Sequence, residues 1–589
     1  MNVHEKQSRL FLGQVESDFD PYYDWVLGAW SFLEQQSLLA EYKKTFPKPF
    51  SSFEEMEQTE EFLFHYVIPI TRREIGCFLF DRWKGMIDED MAFFEYILDP
   101  WLTHFCQNYW ILYLLLKKIK ISDQETPLIV KCLAKKNAPS FKTTSDFASS
   151  VWTDISVQSY FASRIAEILA KEKLWTLEYF EFNKIKNPKN DQLNSLKFLI
   201  KPFRFTNYSK YLLRCSYSQF PYFYRFLLSF LLSIKPVRRN NEITVHCTGN
   251  NSERIQDFIS SILKEEQEVI QRMIEVAQLT IPESFSHSLY QNWKKANRIK
   301  FKNGKCRIPD QGTGDIETRI INFLAKKKGE VLIGIQHGGG HGSDRIHPLV
   351  QDTEYRYDFY ASWGWRSHDR YQVNALPMPS PLLSPISNKH RFKIDNLFFV
   401  NYSHCPMMLR LHSKPIGSDI VRELPRTVSF FELLRADIRN QALYRPHTKD
   451  GSLENPDSLK QKFPELMIYN DSSRKFMKKI LSCRLLVLNH PITTLHVAMA
   501  ANIPTICYWD PNLWDFTKGC RNFFEEFKEL GILFESPEHA AEKVNNVWSD
   551  ISGWWNDRSL QSVRKQWNAQ FALSDPGWKM IWLKALWRL

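Results

Sequence analysis

The densest set of chemical options in this chain is one short run, Gln336-His337-Gly338-Gly339-Gly340-His341-Gly342. Four of only 21 glycines fall within it. Glycine lets a backbone approach a ligand closely and adopt positive φ. Successive N–H groups in such a loop can cradle an anion. On this reading Gln336, Gly338, Gly339 and Gly340 form an anion or acceptor loop, and His337 is a candidate catalytic base. A tight surface turn is the plain alternative. His337, His341 and His347 also raise the prospect of a metal site. His337 and His341 lie four apart, but the intervening glycines argue against the helix that would align two ligands on one face. No metal is therefore expected.

Further along, Glu354 and Asp358 flank a tyrosine-rich stretch that ends in Ser362-Trp363-Gly364-Trp365. A carboxylate here, Glu354 first, could act as general base on a hydroxyl. It could equally pair with Arg356. The two tryptophans could stack on a sugar or pack in a core. Arg445-Pro446-His447 offers a guanidinium suited to bidentate phosphate contact. Asn470-Asp471-Ser472-Ser473 reads as a helix N-cap. Thr493-Thr494, with His496 beyond, stands where a helix N-terminus would meet phosphate.

These residues need strands to place them. Val331–Ile335 is a compact apolar run of buried-strand type directly before the glycine loop. Tyr357–Trp363 is a second candidate strand, and Ile243–Cys247 a third, with Asn251-Ser252 capping a helix to about Ala277. From residue 391 short apolar runs recur: Leu397–Val400, Ala442–Tyr444, Leu466–Tyr469, Leu485–Leu488, Thr505–Tyr508 and Ile532–Phe534. Their alternation with helical patterns predicts a parallel sheet covered on both faces. Four prolines between Leu376 and Pro385 predict a linker. The spacing therefore predicts a mostly helical, aromatic N-terminal region over 1–240, with a short opening strand from Arg9. A first α/β unit follows over 241–390, a second over 391–560, and C-terminal helices over 561–589. Within the N-terminal region a helical run is interrupted at Asp99-Pro100, and Trp101, Phe105, Tyr109 and Leu112 form a core stripe. Two α/β units joined by a linker imply a cleft, with ligands beyond the carboxyl ends of the strands.

Composition narrows the field. The chain has 589 residues, is 43% hydrophobic and 24% charged, and contains 43 Phe, 23 Tyr and 19 Trp. That excludes a disordered chain or a fibrous repeat. A net charge of +11 suits an anionic ligand and leaves room for peripheral contact with an anionic membrane. No dense basic tract points to nucleic acid. The ten cysteines form no C-x-x-C pair and read as buried thiols of a reducing compartment. With no apolar signal core near Met1 and no membrane-length apolar run, a cytoplasmic location is expected.

Over nearly its whole length the chain resembles a family of bacterial transferases from surface-carbohydrate gene clusters. That family is distantly similar to capsule Kdo transferases and other GT-B glycosyltransferases. The resemblance is carried by Phe11-Leu12-Gly13, Leu98–Leu102, Gln336–Gly342, Ser362–Trp365, Thr493-Thr494 and Asn502–Thr505. It implies a GT-B fold, two Rossmann-like units facing a cleft, and a glycosyltransferase that needs no metal or cofactor. Its substrates would be a nucleotide-sugar donor and a glycan or lipid-linked glycan acceptor of lipopolysaccharide or surface polysaccharide. Likeness to Kdo transferases points to a CMP-linked donor. Arg445, His447, Asp471, Ser472, Thr493, Thr494 and His496 would face the donor, and His337 and Glu354 the acceptor. One departure stands out: the family pattern has Glu three residues after the second Thr, where this chain has Val497. Two alternatives remain open: a metal-dependent hydrolase using His337, His341 and His347, and a non-catalytic assembly subunit of a carbohydrate-synthesis complex.

Overall fold

The computed structural model describes residues 7–119, 127–181, 217, 219–234, 264–309, 316–402, 405–447, 452–454, 456–470 and 473–589. The candidate strand at 243–247, the cap at 251–252, and the candidate site residues Asp471 and Ser472 lie outside them. Three sheets, all parallel, organise the described residues.

The N-terminal sheet contains β1 (Arg9–Phe11), β2 (Trp25–Val26), β3 (Leu128–Leu133) and β4 (Trp175–Phe180), in the order β2-β1-β3-β4. The sequence predicts only the first of these. β2 is two residues long, too short to carry a readable period, and β3 and β4 fall between helices whose longer pattern dominates. Helices dominate the rest of this region. The predicted break falls where expected, between the Met91–Leu98 and Trp101–Lys117 helices. Trp101, Phe105, Tyr109 and Leu112 are buried in the largest core of the molecule, as their spacing requires.

The middle sheet is β5 (Cys306–Arg307), β6 (Val331–Ile335), β7 (Phe359–Ser362) and β8 (Ala375–Pro377), in that order. β8 corrects the linker reading. The first residues of the proline-rich stretch pair with β7, and Pro377 is tolerated because β8 is an edge strand.

The third sheet has β9 (Ile394–Val400), β10 (Ala442–Arg445), β11 (Met467–Ile468), β12 (Cys483–Leu488), β13 (Thr505–Tyr508) and β14 (Leu533–Phe534). Its order is β11-β10-β9-β12-β13-β14, a doubly wound sheet whose direction reverses between β9 and β12. Alternate residues feed opposite cores. Phe398, Val400, Leu486 and Leu488 face one core, and Leu397, Phe399, Leu485 and Val487 the other. Both faces are buried, which is why the strands read as continuous apolar runs.

The C-terminal helices bind the sheets together. In Arg558–Phe571, Arg564 Nη1 donates to the Met499 carbonyl at 2.6 Å, beside the third sheet. In Trp578–Arg588, Trp582 Nε1 donates to the Pro379 carbonyl at 2.8 Å, against the middle sheet. Among the described residues no helix is long and apolar enough to cross a membrane. Among the described residues Cys77, Cys106, Cys132, Cys483, Cys507 and Cys520 are free thiols.

Candidate functional site

The glycine loop leaves the carboxyl end of β6, and its geometry starts from Gln336. This side chain is fully buried. Its Nε2 donates to the carbonyls of Gly338 (2.9 Å) and His341 (3.1 Å). Its Oε1 accepts from Trp363 N (2.7 Å) and Trp365 Nε1 (2.8 Å). The amide's hydrogen-bonding capacity is spent on shaping the loop. Gln336 thus folds the loop and does not itself reach a ligand. Trp363 and Trp365 are buried beside it, so of their two readings packing is the one realised.

His337 follows, and its Nε2 lies 3.0 Å from Glu354 Oε1. Glu354 stands on the turn between the short Pro348–Asp352 helix and β7. The His337 side chain is 19% exposed and that of Glu354 only 4%. A buried carboxylate therefore backs an imidazole with one side toward solvent. Glu354 does not take its alternative partner: Arg356 pairs instead with Asp352, at 2.9 Å.

His341 turns inward, where its Nδ1 meets the Tyr360 hydroxyl at 2.6 Å. Its ring lies 4.3 Å from that of His337 and 4.9 Å from that of His347. His347 in turn stacks on His412 at 4.6 Å. Burial, with the neighbouring imidazoles, pushes His341 well below the ordinary histidine value. Burial takes His347 down to about 3. These rings are neutral at physiological pH. Among the described residues, one group has its ligand atoms within 4.8 Å of one another, and it is His337, His341 and Glu354. His347, the third ligand expected from the sequence, is not in that group.

The glycine loop rests on the third sheet. Gly339 N–H donates to Thr493 Oγ1 at 3.0 Å. A Cβ at Gly339 would lie 2.6 Å from His496 Nδ1 and 2.8 Å from Thr493 N. Only glycine permits this approach. At this point the middle and third sheets touch, and Trp363, Trp365, Leu495 and Val497 share one core. His496 is buried here, its ring 6.0 Å from Trp363 and 5.4 Å from Trp567. Burial lowers it to about 4. Gly338 has room for a Cβ at ordinary contact distances, whereas one at Gly340 would meet Asp344 Oδ2 at 2.6 Å.

Thr493 and Thr494 open the Thr493–Ala501 helix directly after β12, both partly exposed. Arg445 ends β10, half-buried, with its guanidinium 4.0 Å from the Phe476 ring. Among the described residues no carboxylate pairs with it. His447 N–H donates to Glu454 Oε2 at 3.1 Å. Between β9 and β12, at the reversal of the sheet, Asn489 Oδ1 accepts from Tyr402 N at 3.1 Å, and Asn489 Nδ2 donates to Asn401 Oδ1. The sequence singled out neither asparagine for this. Their signal was position, each directly following a strand.

The third sheet is thus doubly wound, with Arg445 at a strand end and a helix start at its reversal, where Thr493 meets the loop that carries His337. The chain belongs to the LIC12162 transferase family, whose model matches residues 8–586. No curated protein matches it. Among solved structures it is similar to a mutant O-GlcNAc transferase from Thermobaculum terrenum, at 11% identity and a TM-score of 0.28. That match covers 54% of this chain and 59% of the other.

Proposed function

We propose that this transferase is a GT-B-type glycosyltransferase in which His337 and Glu354 form the acceptor-side base. The observation that carries the reading is the 3.0 Å contact between His337 Nε2 and Glu354 Oε1. With Nε2–H donated to the carboxylate, Nδ1 is the basic nitrogen. It takes the proton of an acceptor hydroxyl as that oxygen attacks the anomeric carbon. The bond from that carbon to the donor phosphate breaks, and the nucleotide leaves with the electron pair. The buried carboxylate stabilises the imidazolium that forms, as in other base–orienter pairs.

On the opposite side, Arg445 and the helix start at Thr493-Thr494 would stabilise the leaving phosphate. Arg445 supports this reading because no described carboxylate neutralises it. The donor would be a nucleotide sugar, CMP-linked on the resemblance to Kdo transferases. The acceptor would be a glycan or lipid-linked glycan of a surface polysaccharide or lipopolysaccharide, met in the cytoplasm or at the inner face of an anionic membrane. His496 is buried under Gly339, so ribose contact at this helix falls to neither His496 nor Val497.

The test is a thermal-shift screen with CMP, UDP, GDP and ADP, each with and without divalent metal. A ligand that binds the native state raises its melting temperature. A metal-independent shift with one nucleotide, abolished in Arg445→Ala, is expected. No shift with any nucleotide would overturn donor binding.

A second reading is favoured by the ligand atoms of His337, His341 and Glu354, which lie within 4.8 Å of one another. Two imidazoles and a carboxylate form a known catalytic zinc donor set, and the chain would then be a metal-dependent hydrolase. Stoichiometric metal in the purified protein, lost in His341→Ala, would establish it.

A further inference from the structure

The Phe11-Leu12-Gly13 motif lies far from His337 in sequence and serves none of the chemistry above. It ends β1 at the place where the N-terminal sheet reverses, with β2 on one side and β3 on the other. Ligands of such sheets bind beyond the carboxyl ends of the strands at the reversal. A crevice of about 250 Å³ lies there, lined by Gly13, Glu16, Lys131, Ser156, Ser159 and Phe180 among others.

Its floor holds an unanswered polar group. Ser159 is 3% exposed and its Oγ has no hydrogen-bond partner. A Cβ at Gly13 would lie 2.9 Å from that oxygen, so any other residue at 13 would cover it. Ser156 and Ser159 belong to the first turns of the Ile155–Leu169 helix, whose start is capped by Asp154.

The charges decide which ligand fits. Lys131 Nζ lies 2.6 Å from Glu178 and 3.5 Å from Glu16. Its charge is already answered by two carboxylates, and a phosphate here would meet both. With Asp154 at the helix start as well, the crevice disfavours an anion. What remains is carboxylate, ammonium and hydroxyl groups in one crevice with Phe11, Val15, Ile155 and Phe180. Paired donors and acceptors beside an apolar face match one sugar ring, with its hydroxyl edges and C–H face.

We propose that this crevice is a saccharide-binding site that takes one uncharged sugar ring. It is separate from the His337–Glu354 pair. The test uses the full chain and saturation-transfer NMR with methyl glycosides of hexoses, N-acetylhexosamines and 6-deoxyhexoses. Inorganic phosphate serves as the anionic counter-probe. At least one glycoside receives saturation from the wild type and equally from His337→Ala. The binding weakens about five-fold or more in Ser159→Ala and in Glu16→Ala, the loss of roughly one hydrogen bond. Glu16 is a partly exposed side chain outside the core, so its variant keeps the fold. Four results would overturn the proposal: no glycoside bound, binding unchanged in both variants, binding lost in His337→Ala, or phosphate bound at this site in place of glycosides.

Discussion

Arg72 Nη2 lies 2.8 Å from Asp352 Oδ2, across 280 residues of sequence. The contact joins the Ile68–Trp83 helix of the N-terminal region to the turn that carries Glu354 two residues later. Arg72 also reaches Asp99 at 2.8 Å, and Arg319 holds the other oxygen of Asp99 at 3.2 Å. Burial alone would raise the Asp352 carboxyl, but Arg356 and Arg72 hold it below the ordinary range. A buried network thus fixes the backbone from which one half of the proposed base projects.

Arg72→Met should therefore cost about 3 kcal/mol, because two buried carboxylates each lose one counter-charge, keeping Arg356 at Asp352 and Arg319 at Asp99. Urea unfolding followed by tryptophan fluorescence measures it. Residual transfer by the variant should also fall, since Glu354 loses its anchor. A loss under about 1 kcal/mol would show that the network does not brace the site.

For the base itself, His337→Ala and Glu354→Gln should each lower transfer about 10²- to 10⁴-fold. The double variant should be little worse than either single one, because the two act as a unit. Steady-state rates with the donor class found by thermal shift provide the comparison. Multiplicative losses would mean independent roles.

Gly339→Ala tests the contact between the middle and third sheets. The added methyl meets His496 Nδ1 and the Thr493 backbone nitrogen, both under 3 Å away. The backbone atom cannot rotate aside, so a cost of about 1–3 kcal/mol follows from overpacking. Adding His496→Ala should recover only part of it. Full recovery would show that the backbone contact is soft.

The histidine run gives stability a pH dependence of definite sign. Burial holds His104 and His347 near 3, and His341 and His412 well below the ordinary value. Below about pH 6.5 the unfolded chain takes up protons that the folded chain refuses. Stability is complete above that value and falls as pH drops toward the folded values, by about 1.4 kcal/mol per unit for each such group. Asp99 and Asp344, raised by burial to about 6, act in the opposite direction between pH 6 and 4. His368, His390 and His496 are lowered by burial as well, and Glu60 and Glu95 are raised by burial with the two aspartates. Among the described residues seven histidines thus oppose four carboxyls raised by burial, and the histidines begin to titrate first. The melting temperature should therefore fall steadily from pH 7 to pH 4.5. A flat profile would show that the rings are reached by water.

The third sheet was legible because its central strands are buried on both faces and read as unbroken apolar runs. Val331–Ile335 and Thr505–Tyr508 match the structure residue for residue. Glycine density marked the loop after β6, and Asp99-Pro100 marked the helix break, since both signals are local to the backbone. Partners were not legible. The sequence offered His337 as a base or a metal ligand and Glu354 as a base or a partner of Arg356, and only the packing of the 354–356 turn against the loop brought the two together. Packing alone also turned Gln336 inward, sank Trp363 and Trp365 into the core and set His496 beneath Gly339. Of the N-terminal sheet only β1 was legible: β2 has two residues, and β3 and β4, six residues each, lie between long helical runs that dominate the pattern of that region. Backbone preference and hydrophobic pattern act over a few neighbouring residues and are written in the chain. The pairing of side chains 17 to 280 residues apart depends on how whole elements pack.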